Sequence, residues 1–301
     1  MSVKQGRIQS LVAMATAGLI ALCVMTMPAH ASVSNARVMC SETVKTQKFE
    51  TAKEQFEHAT SLKKALRGME GEARDRARVD AVAAYRAVRE YFASEAALCS
   101  EAAFRAGELL RTAEDLTGAL AEFGVARERG AGTDFRVRAM LEIGHVERRA
   151  KHSQPALSAY EAVVSEDTAS ARQKDEALLW TGRVYADLER FADARRVWQK
   201  VADKGDDPID RIHAFDEIAS MLVVTGDLEG AAGVVKRCNE ALADVSGEET
   251  KLGERVRASL AAMRSIDQLT RAIEKRKKAD VKSEPEERAD DKPKKEKKKK
   301  E

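Results

Sequence analysis

Three times along this chain an alanine stands four residues before an aromatic ring, as Ala119 and Phe123, Ala156 and Tyr160, and Ala194 and Trp198. A fourth alanine, Ala231, is followed at the same distance by Val235. The alanines are 37, 38 and 37 residues apart, and twelve residues before each stands another small residue: Gly107, Gly144, Gly182 and Ala219. Three residues beyond these come Leu110, Glu147, Tyr185 and Leu222. A period of this length describes a supersecondary unit that cannot bury its own outer face, so neighbouring units must stack. A glycine in a helix interior costs ~1 kcal/mol relative to alanine. The spacing predicts that two antiparallel helices cross at Gly182 and Ala194, where small residues let the backbones approach, while Tyr185 and Trp198 fill the space around them. Burying one such ring contributes ~1.5–3 kcal/mol and outweighs the cost.

The pattern resembles the tetratricopeptide repeat, on the third unit above all: Leu178, Thr181, Gly182, Tyr185, Ala194 and Trp198, with Pro208 beyond. The resemblance covers about residues 95–243. It departs from that family in a period longer than its ~34 residues, with GAGTD (130–134) and KGDDPID (204–210) as the longer connections, and in Glu147, which occupies an apolar column. It implies an all-α, right-handed superhelical stack of antiparallel helix pairs. In such arrays the first helix of each pair lines a concave groove for a partner protein or peptide. Counted from the small crossing residue, the inward face includes Glu101, Phe104, Glu108 and Arg111, then Arg138, Leu141, His145 and Arg148, then Glu176, Leu179, Arg183 and Ala186, then His213, Asp216, Ser220 and Val223. Arg138, His145, Arg148 and Arg183 would form a basic run with Leu141 and Leu179 beside them. Guanidinium groups can fork onto a carboxylate; equally, this can be a solvated helix face whose arginines pair with Glu176 or Glu108.

Composition agrees with an all-helical reading. The 301 residues are 44% hydrophobic, 34% charged and only 5% aromatic, with 5 prolines. Upstream of the repeats, residues 32–94 predict a helical hairpin that covers the array's first face. Phe49, Ala52, Phe56, Ala59 and Leu66 lie at helical spacing, RGMEGE (67–72) makes the break, and Ala81 and Tyr85 echo the motif. Gly226 predicts the turn inside the fourth pair, and Cys238 a buried thiol. Downstream, residues 246–277 predict one capping helix, started by a Ser246/Glu249 capping box and bearing Leu252, Val256, Leu260, Met263, Ile266, Leu269 and Ile273. Residues 278–301 form a Lys-rich tail with almost no apolar residue, expected to be disordered.

The first 31 residues read as a secretory signal peptide: Lys4 and Arg7, an uncharged run from Leu11 to Met27, and an A-x-A site in PAHAS with cleavage after Ala31. Export would place the chain in a periplasm or cell envelope; the alternative is an uncut segment anchoring an accessory of a translocon or chaperone complex. An oxidising compartment permits disulfides, and with Cys40, Cys99 and Cys238 left after cleavage at most one can form within the chain. Cys40–Cys99 is the candidate, closing about 60 residues and worth roughly 4 kcal/mol; two unpaired thiols are the alternative.

Charge is segregated. Residues 275–301 hold 13 Lys/Arg against 8 Asp/Glu, a net of +5, whereas 32–274 hold 37 against 42, a net of −5. The basic tail could touch anionic envelope surfaces weakly; nucleic acid is not an expected partner of an exported chain. No histidine or cysteine spacing suits a metal, and no phosphate loop, G-x-S-x-G elbow or dinucleotide fingerprint is present. The expectation is a non-enzymatic scaffold without a cofactor, serving cell-envelope assembly or maintenance.

Overall fold

The computed structural model describes residues 46–283. The leader, Cys40 and the segment 284–301 lie outside these. The described chain is all α-helix in sequential antiparallel pairs, TPR-like in plan: α1 (Ala52–Ala65) with α2 (Gly71–Tyr91), α3 (Ala96–Thr112) with α4 (Leu116–Arg129), α5 (Asp134–Arg149) with α6 (Ser153–Ser165), α7 (Ala171–Asp187) with α8 (Phe191–Lys204), and α9 (Pro208–Val224) with α10 (Leu228–Ala241). Three further helices, α11 (Ala243–Gly247), α12 (Lys251–Ala261) and α13 (Arg264–Ser283), close the C-terminal end.

Helix starts follow local chemistry. Thr51 and Ser170 make capping boxes with Glu54 and Gln173, and Asp115, Asp207 and Asp227 accept backbone N–H groups in the first turns of α4, α9 and α10. The turns inside four pairs are the same structure repeated. Glu114, Lys151, Glu189 and Gly226 adopt φ of 63°, 65°, 57° and 87°, each seven residues after the small crossing residue. In each, a 6→1 bond closes the turn, from Asp115 N to Leu110 O (3.0 Å), His152 N to Glu147 O (2.9 Å), Arg190 N to Tyr185 O (2.8 Å) and Asp227 N to Leu222 O (2.9 Å). This is a Schellman ending, reached in three of four pairs without glycine at ~1 kcal/mol of left-handed strain. It also explains why Glu147 is tolerated in an apolar column: its position supplies the turn's acceptor carbonyl, while its side chain meets His152 Nδ1 at 2.8 Å.

The crossings are as the spacing requires. A Cβ built on Gly182 would lie 2.5 Å from Cδ1 and Cε2 of Trp198, one on Gly107 2.6 Å from Cε1 of Phe123, and one on Gly144 2.7 Å from Cζ of Tyr160. The ring of each second helix lies flat on the missing side chain of the first. The two polar rings use this passage: Trp198 Nε1 donates to Leu179 O at 3.0 Å, and Tyr160 Oη reaches His145 Nδ1 at 2.8 Å. Ala119, Ala156, Ala194, Ala219 and Ala231 are all fully buried, and Tyr185 packs at the seam between the α5–α7 and α7–α9 clusters.

The N-terminal hairpin is itself a module. Ala81 stands 38 residues before Ala119, Tyr85 is fully buried, and its hydroxyl lies 3.3 Å from Thr60 Oγ1, beside buried Ala59. It differs in connection: α2 begins ten residues before its alanine, whereas α4, α6, α8 and α10 begin three before theirs. An extended stretch preceding α1 is pinned by the buried Gln55, which accepts from Phe49 N (3.0 Å) and donates to Gln47 O (3.1 Å).

The C-terminal end departs from the single capping helix expected over 246–277. Ser246 lies inside α11, its hydroxyl donating to Ala243 O, and Thr250 caps α12 instead. Helix α13 starts afresh at Arg264 because the buried Asp216 carboxylate of α9 accepts from Ser265 N at 2.8 Å, capping it from another helix. It then runs through Ser283, beyond the expected boundary at 277. Val256, Leu260, Met263, Ile266 and Leu269 do pack on the last pair.

Cys238 is fully buried, as its column requires, and burial pushes its thiol up to about 12. Cys99 is also buried, with Sγ 3.3 Å from Phe92 O; its proposed partner Cys40 lies outside the described residues.

Candidate functional site

First helices line one face of the stack, and a ladder of ion pairs crosses it from helix to helix. Lys63 of α1 meets Glu108 of α3 at 2.8 Å, Arg111 of α3 meets Glu142 of α5 at 3.1 Å, Arg148 of α5 meets Asp187 of α7 at 3.6 Å, and Arg183 of α7 meets Glu217 of α9 at 2.6 Å. Arg264 of α13 shares Glu217 (3.1 Å) and also reaches Asp216. The first-helix arginines are therefore partnered, and no uninterrupted positive strip exists there. Partnering is uneven, however. Arg183 is held tightly by a largely buried carboxylate. Arg148 meets an exposed one at 3.6 Å, and Arg138 has only Asp134 at 3.8 Å, also exposed. Such exposed pairs contribute ~0–1 kcal/mol and exchange readily.

Three of the residues expected to offer apolar contact do not. Phe104, Leu141 and Leu179 are 1%, 6% and 5% exposed. Successive first helices touch along this column, so these side chains fill the seam and leave no apolar floor. The fourth member of the column is Asp216, which is why the seam ends there and α13 attaches.

What the face offers instead is aromatic surface under guanidinium groups. Trp180, half-buried on α7, has Arg183 at 4.3 Å and Arg148 at 4.7 Å from its ring centre, and His145 edge-on at 4.8 Å. A second stack sits at the other end of α5, where Arg138 lies 4.4 Å from Phe104 and 5.2 Å from Phe135, with Arg105 against the same two rings. Each contact contributes ~0.5–2 kcal/mol and holds the guanidinium plane while leaving its edge free to donate. His145, Arg148 and Arg183 are thus brought together, Arg111 is tied to Glu142, and Arg138 belongs to a separate cluster. Trp180 was not singled out from the sequence; its signal is an aromatic in a column otherwise charged, Arg105, Glu142 and Glu217.

His145 sits neutral at the centre. Burial, then the charges of Arg148, Arg111 and Arg183, push its imidazole down to about 4. Tyr160, whose hydroxyl meets it, is raised by burial. A base depressed in the folded state takes up its proton more readily when unfolded. Its contribution is therefore complete above about pH 6.5 and drains away as pH falls towards 4, by on the order of 3 kcal/mol. Glu142 and Glu176, raised mainly by burial, act in the opposite sense. The difference between wild type and His145→Gln in unfolding free energy, followed from pH 7 to 4, should narrow by most of that amount; a constant difference would show that His145 binds its proton equally well in the folded and unfolded chain.

Among the described residues no group of three or more metal-ligating side chains converges, and no helix is long and apolar enough to cross a membrane.

No family model and no curated protein matches this chain. Solved structures share its path. MamA from residue 41 to its end, from Desulfovibrio magneticus RS-1, is 20% identical over 64% of this chain and 96% of its own, with a TM-score of 0.48. PilW, described as a widely conserved type IV pilus biogenesis factor, is 14% identical over 79% and 97%, with a TM-score of 0.45. BtubC from P. vanneervenii is 12% identical over 67% and 95%, with a TM-score of 0.43.

Proposed function

We propose that this chain is a non-enzymatic scaffold that holds a partner protein against its first-helix face, with Trp180 and the Arg148 guanidinium stacked on it as the anchor. The observation that carries the reading is the unequal pairing of the arginines. Arg138 and Arg148 are oriented by aromatic rings yet bound only loosely to exposed carboxylates, so they can change partners without leaving a buried charge alone. Trp and Arg are the residues in which interface energy concentrates. The acids of the same face mean that recognition depends on local register rather than on bulk charge. The N-terminal reading of Lys4, Arg7, Leu11 to Met27 and PAHAS supports work in a periplasm or cell envelope, in its assembly or maintenance.

A photo-crosslinking amino acid at Arg138 or Glu176, compared in whole cells with one at Arg195 or Lys236 on second helices, tests this. Crosslinks are expected to concentrate on the first-helix positions and to fall at least tenfold with Trp180→Ala, the effect of losing a ~2 kcal/mol anchor. Equal capture by the second-helix positions would overturn the assignment. Mass analysis of the same protein should find Ser32 as its first residue; an intact Met1 would speak for the anchored form.

A further inference from the structure

First helices touch one another in succession, whereas the second helices α2 and α4 stand further apart and are bridged by side chains. The bridge is Glu122, only 4% exposed. It meets Arg86 Nε at 2.7 Å and the Arg89 guanidinium at 2.9 Å, both from α2. Three residues beyond each module's alanine, its column reads Ala84, Glu122, Ala159, Val197 and Val234. One carboxylate thus stands where the other second helices carry a small or apolar side chain. A buried charge is costly without partners, and an apolar residue of similar size would fill the seam without that cost.

Beside the bridge lies an open cleft of about 420 Å³, lined by Arg86, Arg89, Glu90, Val125, Glu128 and Arg129. Its size suits a small molecule. Charge is arranged in two layers. At the buried end, Arg86 and Arg89 share the single Glu122 carboxylate, which leaves one positive charge over. Arg86 binds through Nε and stays half-exposed, so its outer edge can still donate. Arg129 adds a second unmatched charge: it donates to Ala93 O at 3.2 Å and has no carboxylate partner among the described residues. At the exposed end stand Glu90 and Glu128. Glu128 meets the exposed Arg127 at 3.6 Å, and Glu90 has no ion partner among the described residues.

We infer that this cleft binds a small phosphorylated polyol, of the sugar-phosphate class. A phosphate monoester, close to a dianion at neutral pH, matches the two unmatched guanidinium charges and offers oxygens to more than one of them. Hydroxyl groups beside it find acceptors in Glu90 and Glu128, which a site for a bare anion would not contain. The same two carboxylates work against long polyanions, which would have to lay further negative charge across them. The cleft is on the second-helix side, so it stands or falls separately from the scaffold assignment.

Isothermal titration of the full chain with glucose 6-phosphate and glycerol 3-phosphate, against inorganic phosphate and glucose, is the test. Both esters are expected to bind, about tenfold or more tighter than inorganic phosphate, and glucose should give no heat. Arg129→Gln should weaken the esters about tenfold, the loss of one charge-assisted contact. Its melting temperature should hold, because glutamine can still donate to Ala93 O. Arg86→Gln should act alike, since Arg89 continues to partner Glu122. Glu90→Ala/Glu128→Ala should lower the preference for the esters over inorganic phosphate, because it removes hydroxyl acceptors and repulsion together. Arg138→Gln/Arg148→Gln, on the first-helix face, should change nothing. The inference would be overturned if neither ester bound, if Arg129→Gln bound like the wild type, or if only the first-helix variant lost binding. Inorganic phosphate bound as tightly as the esters would also overturn it, as would a poly-glutamate peptide or polyphosphate bound more tightly.

Discussion

Gly182→Leu is expected to abolish the cooperative thermal transition of the array or to lower its midpoint by more than 15 °C. Even the first carbon of a new side chain would fall 2.5 Å from Cδ1 and Cε2 of the Trp198 ring and closer still to Nε1; the ring is fully buried and fastened to the Leu179 carbonyl. The ring cannot step aside without leaving its pocket, and α7 cannot retreat from α8 without opening the clusters on both sides. Overpacking of this kind costs typically 1–3 kcal/mol where a core can adjust and more where it cannot. Domains of this size are stable by only ~5–15 kcal/mol. Gly182→Ala supplies a graded comparison, with a smaller loss of ~2 kcal/mol or more. Circular dichroism of the two variants decides the matter: a leucine form that melts like the wild type would remove the physical reason for the period.

The second large effect is local. Asp216→Ala takes away the acceptor for Ser265 N among the described residues and one of the two carboxylates of Arg264, in a buried place where an orphaned donor costs ~1–3 kcal/mol. Glu217 would still hold Arg264, but shared with Arg183. Amide hydrogen exchange should show α12 and α13 losing protection by ten- to a hundredfold, while α3 to α6 keep theirs, because each module contacts only its neighbours. Asp216→Asn, whose side-chain oxygen can still accept from Ser265 N, should be milder. Loss of protection spread evenly along the chain would mean that the cap is not a separate unit.

How far each feature could be read beforehand depended on whether its cause left a mark on residue type. The crossings did, because only a small residue fits beneath Phe123, Tyr160 or Trp198, and the period follows from them. The left-handed turns did not: Glu114, Lys151 and Glu189 carry no turn signature, and only Gly226 does. The hairpin of α1 and α2 was partly legible, since Ala81 and Tyr85 keep the register while the longer connection hides the matching Ala59. The expected groove went astray at Phe104, Leu141 and Leu179, because an apolar column on first helices reads the same whether it faces a ligand or a neighbouring helix. Asp216, the odd member of that column, marked the point where the chain folds back, and Trp180, the odd member of its own, marked the ring on which Arg148 and Arg183 stack. Ser246 and Glu249 matched a helix start by type and spacing; the long-range hydrogen bond that actually fixes α13 comes from a residue 49 positions earlier.

The four identical left-handed joints have a bearing on how such a chain can change its length. Each hinge leaves its pair along the same path, whether it carries glutamate, lysine or glycine, so whole modules are interchangeable building units, and excision between matching columns re-creates a seam of the kind already present. The first pair, with its longer connection, is exempt, and so is the terminal module. Its aspartate exists once, and a chain shortened past it would keep its repeats and lose the means of ending them.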